Sequence, residues 1–477
     1  MKHERQGRRD LLNGEPGAQA TIRMHSAKRA LLASGGARLA VLPLTAVSNL
    51  INARLITDAV GIDLFGAVMV IATLSQVLTF ADLGAGAAVA TASARLDGTV
   101  APADRFRRIL LTALRTMLAS TAGLALIAVV VGALGQWAYL LGIKVPDIGG
   151  LSANAATVVA LLAFGAALPF ALGEAVLRGS GRLHEAVLLV GLSAPAALVI
   201  TIGLYMMNAP AFAYALSIPL GASLATVGCA IRGGRAARAA VGPFIGQIFK
   251  PQRFPGSPIA ATAAPWFVVM IGLPIALQSD KIVLAHRVDA ASLSDYSYAA
   301  QIYTPMWSVV SVAGLALWPM FAAAKNRHND SRRNWVTGVG ILGSAGVVFA
   351  IAFLALGGVI IGWMSGGAAT PEFPLLLSFA ILLVVQSLHI TSGIMLISPR
   401  QLTFQAVCVT ALVLANVPLS WVLAPVLGPA GPVFASAVTV GICQLIPCSV
   451  LAYRATAAGS ADTSDDADGS DDAVRAK

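Results

Sequence analysis

Residues 334–371, NWVTGVGILGSAGVVFAIAFLALGGVIIGWMSGGAATP, run without a single Asp, Glu, Lys or Arg. After Glu372 a second such run, Phe373–Pro399, begins at once. A helix that crosses a bilayer needs about 20 consecutive apolar residues, and each run exceeds that. The Gly/Pro-rich junction between them marks a turn. The pair therefore reads as two consecutive membrane spans, which predicts an all-α, polytopic membrane protein.

Working outward, the same test finds Leu64–Ala81, Thr116–Ile143, Ile148–Gly173, Ala186–Ile231, Pro255–Ser279, Tyr296–Ala324 and Gln401–Tyr453. Two of these are too long for one helix. The first breaks at Asn208-Ala209-Pro210 and the second at Gly428-Pro429-Ala430-Gly431-Pro432. With Gly36–Ile56 at the start, the count is twelve. The basic residues test that count. With the N-terminus inside, 26 of the 32 Lys and Arg fall in inside segments and only Lys144 and Arg287 in outside loops. That split follows the positive-inside rule and places both ends in the cytoplasm. The longest inside loop, 232–258, separates two sets of six spans, 36–231 and 259–453. Leu64-Phe65-Gly66 after span one is echoed by Ser294-Asp295-Tyr296 after span seven. Residues 1–35 read as a basic N-terminal segment that is not a cleavable signal. Residues 454–477 read as an acidic, disordered tail.

Composition agrees. Apolar residues make up 57% of the 477 and charged residues 11%, against about 25% charged in a soluble domain. Mean hydropathy is +0.79. These values exclude a soluble enzyme, a disordered regulator and a fibrous protein. The net charge of +10 sits in short loops and calls for no nucleic acid. None of the seven lysines is followed by Ser or Thr, so the chain has no P-loop. There is no H-E-x-x-H and no metal-ligand spacing, and no cofactor is expected. Cys229, Cys408, Cys443 and Cys448 lie in apolar stretches and read as buried free thiols.

Ionisable groups inside spans are costly and are candidate functional sites. Arg38 lies near the inner end of span one, where snorkelling is the favoured reading. Arg54 lies about 24 Å further along the same helix, above Asn49 and Asn52. This polar face either meets a cavity or anchors at the outer interface. Asp82, Arg115 and Glu174 sit near the inner side, as an inner gate or a static salt-bridge set. Asp280 and Lys281 follow Gln278 near the outer end of span seven. Adjacent helix positions diverge by about 100°, so these two face different partners. Gln386 and His389 share a face of span ten, where a hydrogen-bonded structural pair is the favoured reading.

Several stretches together resemble the polysaccharide flippases of the multidrug/oligosaccharidyl-lipid/polysaccharide exporter superfamily. Asn52-Ala53-Arg54-Leu55, Gly61 and Leu64-Phe65-Gly66 look like that family's junction between spans one and two. Phe80-Ala81-Asp82-Leu83-Gly84-Ala85-Gly86 is similar to its span-two ending. Gln278-Ser279-Asp280-Lys281 with Leu293-Ser294-Asp295-Tyr296 resembles the signature of spans seven and eight. Leu427-Gly428-Pro429-Ala430-Gly431-Pro432 resembles the start of span twelve. Phe65 stands where the family commonly has tyrosine, and Ser294 where it commonly has glycine.

The resemblance implies two six-helix bundles around a central cationic cavity and a carrier working by alternating access in the bacterial cytoplasmic membrane. The implied cargo is an undecaprenyl-diphosphate-linked oligosaccharide, and the implied partners are membrane lipids and polysaccharide polymerase and export machinery. Arg54, Arg38 and Arg115 are candidates for the diphosphate. Asn49, Asn52, Gln278 and Gln301 are candidates for the sugar. Asp280 is the candidate for a coupling cation, with Asp82, Lys281 and Glu174 as further coupling or gate residues. The rival readings are a cation-coupled multidrug antiporter of the same superfamily, a lipid-linked peptidoglycan-precursor carrier, and an intramembrane glycosyl transferase or polymerase. Span one carries arginines and no acid, and the outer loops are short, which disfavours the first and the last.

Overall fold

The computed structural model describes residues 16–77, 84–96, 100–145, 147–256, 260–317, 328–396 and 398–456. These residues are helical almost throughout. The first helix group comprises α1 (Pro16–Val60), α2 (Ile62–Val77), α3 (Ala85–Ser93), α4 (Val100–Ala133), α5 (Trp137–Leu141), α6 (Ala153–Ala167), α7 (Leu172–Gly179), α8 (Leu183–Gly191), α9 (Ser193–Met206) and α10 (Ala211–Val241). The second comprises α11 (Ala260–Arg287), α12 (Ala290–Ala316), α13 (His328–Met364), α14 (Phe373–Met395), α15 (Pro399–Leu427) and α16 (Ala430–Val440). A π turn, Gly441–Leu445, carries α16 onward.

Nine helical stretches among the described residues are long and apolar enough to cross a membrane. The shorter apolar helix Ile62–Leu74, α11 and α12 account for expected spans two, seven and eight. The chain thus has the architecture of a polytopic α-helical membrane protein. Its outer surface agrees: Leu126, Val199, Leu414 and Val426 are each more than 60% exposed, a surface suited to lipid rather than water.

The punctuation is local chemistry. α1 ends because Gly61 adopts φ +79°, a region open to glycine at no steric cost. The expected break after span five is built by Asn208 at φ 49° and Pro210 in extended geometry at the N-cap of α10. Ser398 caps α15 through a capping box with Gln401. Several boundaries differ from the hydropathy reading, among them the ends of α1 and α10, which run past the apolar windows to Pro16 and Val241, and two more have a local cause. α4 starts at Val100, sixteen residues before the apolar window, because a helix needs no bilayer to continue through Arg105–Arg108. Span four starts at Ala153, because Gly149 and Gly150 take positive φ and turn the chain at 147–152.

Within the first group α7 and α10 meet backbone to backbone. A Cβ on Gly173 would lie 2.3 Å from Ala230 Cα, and one on Gly233 would lie 2.3 Å from Gly173 O. The second group is built on α13 against α14, α11 against α15, and α14 against α16. The groups join mainly where α12 packs on α1 and α2. There Phe65 stacks on Tyr298 with ring centroids 4.3 Å apart. A separate cluster, with Phe106, Leu110, Met117, Phe244 and Ile248, seats the 242–254 connector against α4.

Candidate functional site

Three features stand out: a seal between the helix groups, a cleft on the opposite side, and a polar cluster inside the second group. The seal lies at the face away from the arginine-rich segments. Ser294 Oγ at the start of α12 donates to Ile62 O at 2.6 Å and accepts from Gly66 N at 3.1 Å. The Thr57 and Tyr298 hydroxyls share a hydrogen bond at 2.7 Å. Lys144 Nζ donates to Val288 O at 2.6 Å, and His286 Nε2 donates to Tyr139 O at 2.9 Å. Arg54 Nη1 donates to Trp363 O at 3.1 Å, while its Nη2 pairs with Asp58 at 3.1 Å. Asp289, in the turn before α12, accepts from Ser292 N at 2.7 Å. That bond holds its carboxyl below the usual carboxylate range.

The cleft lies toward the arginine-rich face. Its volume is about 230 Å³, and it is lined by Val41, Thr45, Glu174, Leu183 and Gly191 of the first group and Val312 of the second. Glu174 is paired with Arg178.

The polar cluster centres on Asp280, only 2% exposed. Ser420 Oγ of α15 donates to its Oδ1 at 3.3 Å and Ser436 Oγ of α16 to its Oδ2 at 3.0 Å. Beneath them Asn416 Nδ2 donates to Ala276 O at 2.6 Å, and its Oδ1 accepts from Thr439 Oγ1 at 3.2 Å. One carboxylate, one amide oxygen and three hydroxyls converge from three helices. This donor set suits a proton or a small monovalent cation. A divalent ion takes several carboxylates or waters, and among the described residues no group of three His, Cys, Asp or Glu converges.

The sequence candidates are distributed over these features. Arg54 is in the seal and Asp280 in the cluster. Lys281, one position on, points the other way and donates to Thr73 Oγ1 of α2 at 3.1 Å, so it bridges the groups. Glu174 lines the cleft. Asn52 is buried with Oδ1 unpartnered, and Asn49 and Gln278 are half-buried. Gln301 Nε2 reaches Met69 Sδ at 3.6 Å. Arg115 has its own partners: it donates to the carbonyls of Ile248 at 2.8 Å and of Gln247 and Phe254 at 3.0 Å, so it clasps the connector. Arg38 lies on α1 with its side chain outside the description, and Asp82 lies outside the described residues. The four cysteines are free thiols, and Cys443 alone is half-buried rather than buried. Asn416, Ser420, Ser436 and Thr439 were not among the candidates. Their signal was spacing, i and i+4 on α15 and i and i+3 on α16, each pair sharing a helix face.

No protein-family model and no curated sequence matches the chain. Solved structures do. One is described as the inward-facing conformation of a multidrug resistance MATE family transporter of the MOP superfamily. It aligns with TM-score 0.65 and 13% identity over 89% of this chain and 98% of that one. The lipid II flippase MurJ in an inward closed conformation aligns with TM-score 0.62 and 14% identity over 85% of each chain. A MOP superfamily transporter from Pyrococcus furiosus, described as having a binding pocket of reverse polarity, aligns with TM-score 0.56 and 12% identity over 91% of this chain and 96% of that one. The chain therefore has the fold of these transporters.

Proposed function

We propose that this chain is a carrier that moves a polyprenyl-diphosphate-linked oligosaccharide from the cytoplasmic to the outer leaflet by alternating access, for cell-surface polysaccharide assembly. The observation that carries this reading is the asymmetry of the two faces. Polar and aromatic bridges close the face away from the arginines, and the cleft lies toward the arginine-rich face. A carrier in this state loads from one leaflet and releases to the other once the bridges part.

The polarity of span one supports an anionic cargo. It carries Arg38 and Arg54 and no acid before Asp58. When the bridge to α13 parts, a diphosphate takes the place of the Trp363 carbonyl on the Arg54 guanidinium, whose planar donors match phosphate geometry. Asn49, Asn52 and Gln278 serve the sugar, and the lipid tail stays in the bilayer. With the interior negative, outward movement of an anion is downhill by about 2.3 kcal/mol per charge per 100 mV. Asp280 and its hydroxyl and amide neighbours then bind a coupling cation whose entry resets the carrier. A second reading, a cation-coupled multidrug antiporter, is favoured by one observation: the acid Glu174 lines the cleft.

The test is leaflet exchange in liposomes of a fluorescent undecaprenyl-diphosphate oligosaccharide, followed by quenching. Protein-dependent exchange that is lost in Arg54→Ala is expected. No exchange of several such lipids, together with uptake of a cationic dye against a proton gradient, overturns this reading in favour of the antiporter.

A further inference from the structure

The second helix group holds buried polar side chains that the reading above leaves unused, and they are strung along its axis. At 1.5 Å per residue from the sealed end, Asp280, Ser420 and Ser436 lie about 10 Å deep and Asn416 and Thr439 about 15 Å. Tyr303 and Gln386 follow at about 20 Å, His389 at about 24 Å, and Ser392 and Ser449 at about 28 Å. Asn416, Ser420, Ser436, Thr439, Gln386 and Ser392 are all buried.

Two pairs of rungs are linked by hydrogen bonds. Tyr303 Oη donates to Gln386 Oε1. Gln386 and His389 are three residues apart and share a face of α14. The π turn Gly441–Leu445, with buried Gln444, packs against α14. Such turns displace a carbonyl from the regular helical ladder and recur at functional sites. Nearer the arginine-rich face Trp335 Nε1 donates to Ser392 Oγ at 3.0 Å, and Ser392 shares a bond with Ser449 Oγ at 3.2 Å. Two atoms on this stretch of α14 are buried without a partner, His389 Nδ1 and Thr391 Oγ1. A buried polar atom left unpaired calls for a water or a transferable proton. The ionisable groups on the helices packed against α14 here are Tyr303 on α12, Cys443 in the π turn, and Arg332 and Arg333 at the basic end of α13. Arg332 stacks over Tyr453 there, 5.1 Å from the ring centre.

We propose that protons travel between the arginine-rich face and Asp280 through the interior of the second helix group, with His389 as the relay, and not through the cleft lined by Glu174. This rests on the reading of Asp280 as the coupling site. The track suits a proton rather than an alkali metal ion. A metal ion needs an oxygen cage at every station, whereas the stretch from Gln386 to Trp335 offers an imidazole and an indole N–H. The imidazole accepts a proton at one ring nitrogen and releases one from the other, so no charge accumulates on the ring.

The experiment is stopped-flow infrared spectroscopy of the purified full-length protein after a pH jump, following the protonated carboxyl band that Asp280→Asn removes. His389→Leu and His389→Gln are expected to slow the response of that band about a hundredfold, the low end for loss of a positioned proton-transfer group. His389→Gln keeps hydrogen-bonding capacity and serves if the leucine variant fails to fold. Cys443→Ala, beside Gln444 but off the track, leaves the rate unchanged. A band that titrates at the wild-type rate in the His389 variants overturns the proposal while leaving the Asp280 reading intact. An Asp280 carboxyl that never titrates overturns both.

Discussion

Replacing Ser294 by alanine should loosen the seal without damaging either helix group. The hydroxyl lies between two backbone groups of α2, accepting from Gly66 N and donating to Ile62 O. Those two groups stand four residues apart, the register of the helix's own ladder. No backbone group is left unpaired, and only the link to α12 is lost. Polar side-chain bonds between membrane helices average about 0.6 kcal/mol, so two amount to about 1.2 kcal/mol. A shift of that size changes the ratio of sealed to opened molecules roughly eightfold. Spin labels at Met207 in the first group and Val426 in the second, 79% and 73% exposed, report that ratio by double electron–electron resonance. A long-distance component should grow by that factor in Ser294→Ala. Gly66→Ala should open the seal as well, because its Cβ would sit 3.0 Å from Leu293 Cγ and Ser294 Oγ. In the double variant the Oγ clash is gone, so the two effects fall short of additive. A distance distribution in Ser294→Ala identical to wild type would refute the assignment of this contact to the seal.

Other outcomes follow from the same geometry. Gly173→Ala forces a Cβ into the Ala230 backbone and should cost about 1–3 kcal/mol, read as a lower thermal midpoint in detergent. Gly234→Ala, with no heavy atom within 4 Å of the added Cβ, should leave that midpoint in place. Arg115→Met removes three carbonyl contacts, and trypsin should then cut after Arg253 faster than in wild type. Asp289 has its carboxyl pKa lowered by the Ser292 N–H. Its stabilisation is therefore complete above the unfolded value of about 3.9 and fades as pH falls through the lower folded value. Asp289→Asn should remove that acid limb from a plot of thermal midpoint against pH.

The spans were legible because a bilayer tolerates few charges, so nearly every crossing leaves a charge-free run in the chain; span one, with Arg38 and Arg54, is the exception. The breaks at Asn208–Pro210 and Gly428–Pro432 were legible because those residues prefer backbone geometries that a helix lacks. The start of α4 was hidden, since Arg105–Arg108 lie on a helix that continues beyond the apolar window. The candidate site was half legible. An aspartate in an apolar helix announces itself, but its neutral partners do not. Asn416, Ser420, Ser436 and Thr439 matter because three helices bring them to one carboxylate, and helix-to-helix facing is a tertiary fact. Arg115 shows the converse. Its charge inside a span invited a cargo role, and its partners turned out to be carbonyls of a connector folded back on α4.

That clasp also sets a leash. By sequence the stretch between the groups is 27 residues, 232–258, enough slack for wide separation. With α10 continuing to Val241 and Arg115 gripping the chain as late as Phe254, only six residue steps separate that grip from Ala260 of α11. Fully extended, six residues reach about 20 Å. The arginine-rich ends of the two groups can part no further than that while the clasp holds, so one guanidinium sets the upper limit on how wide that face can open.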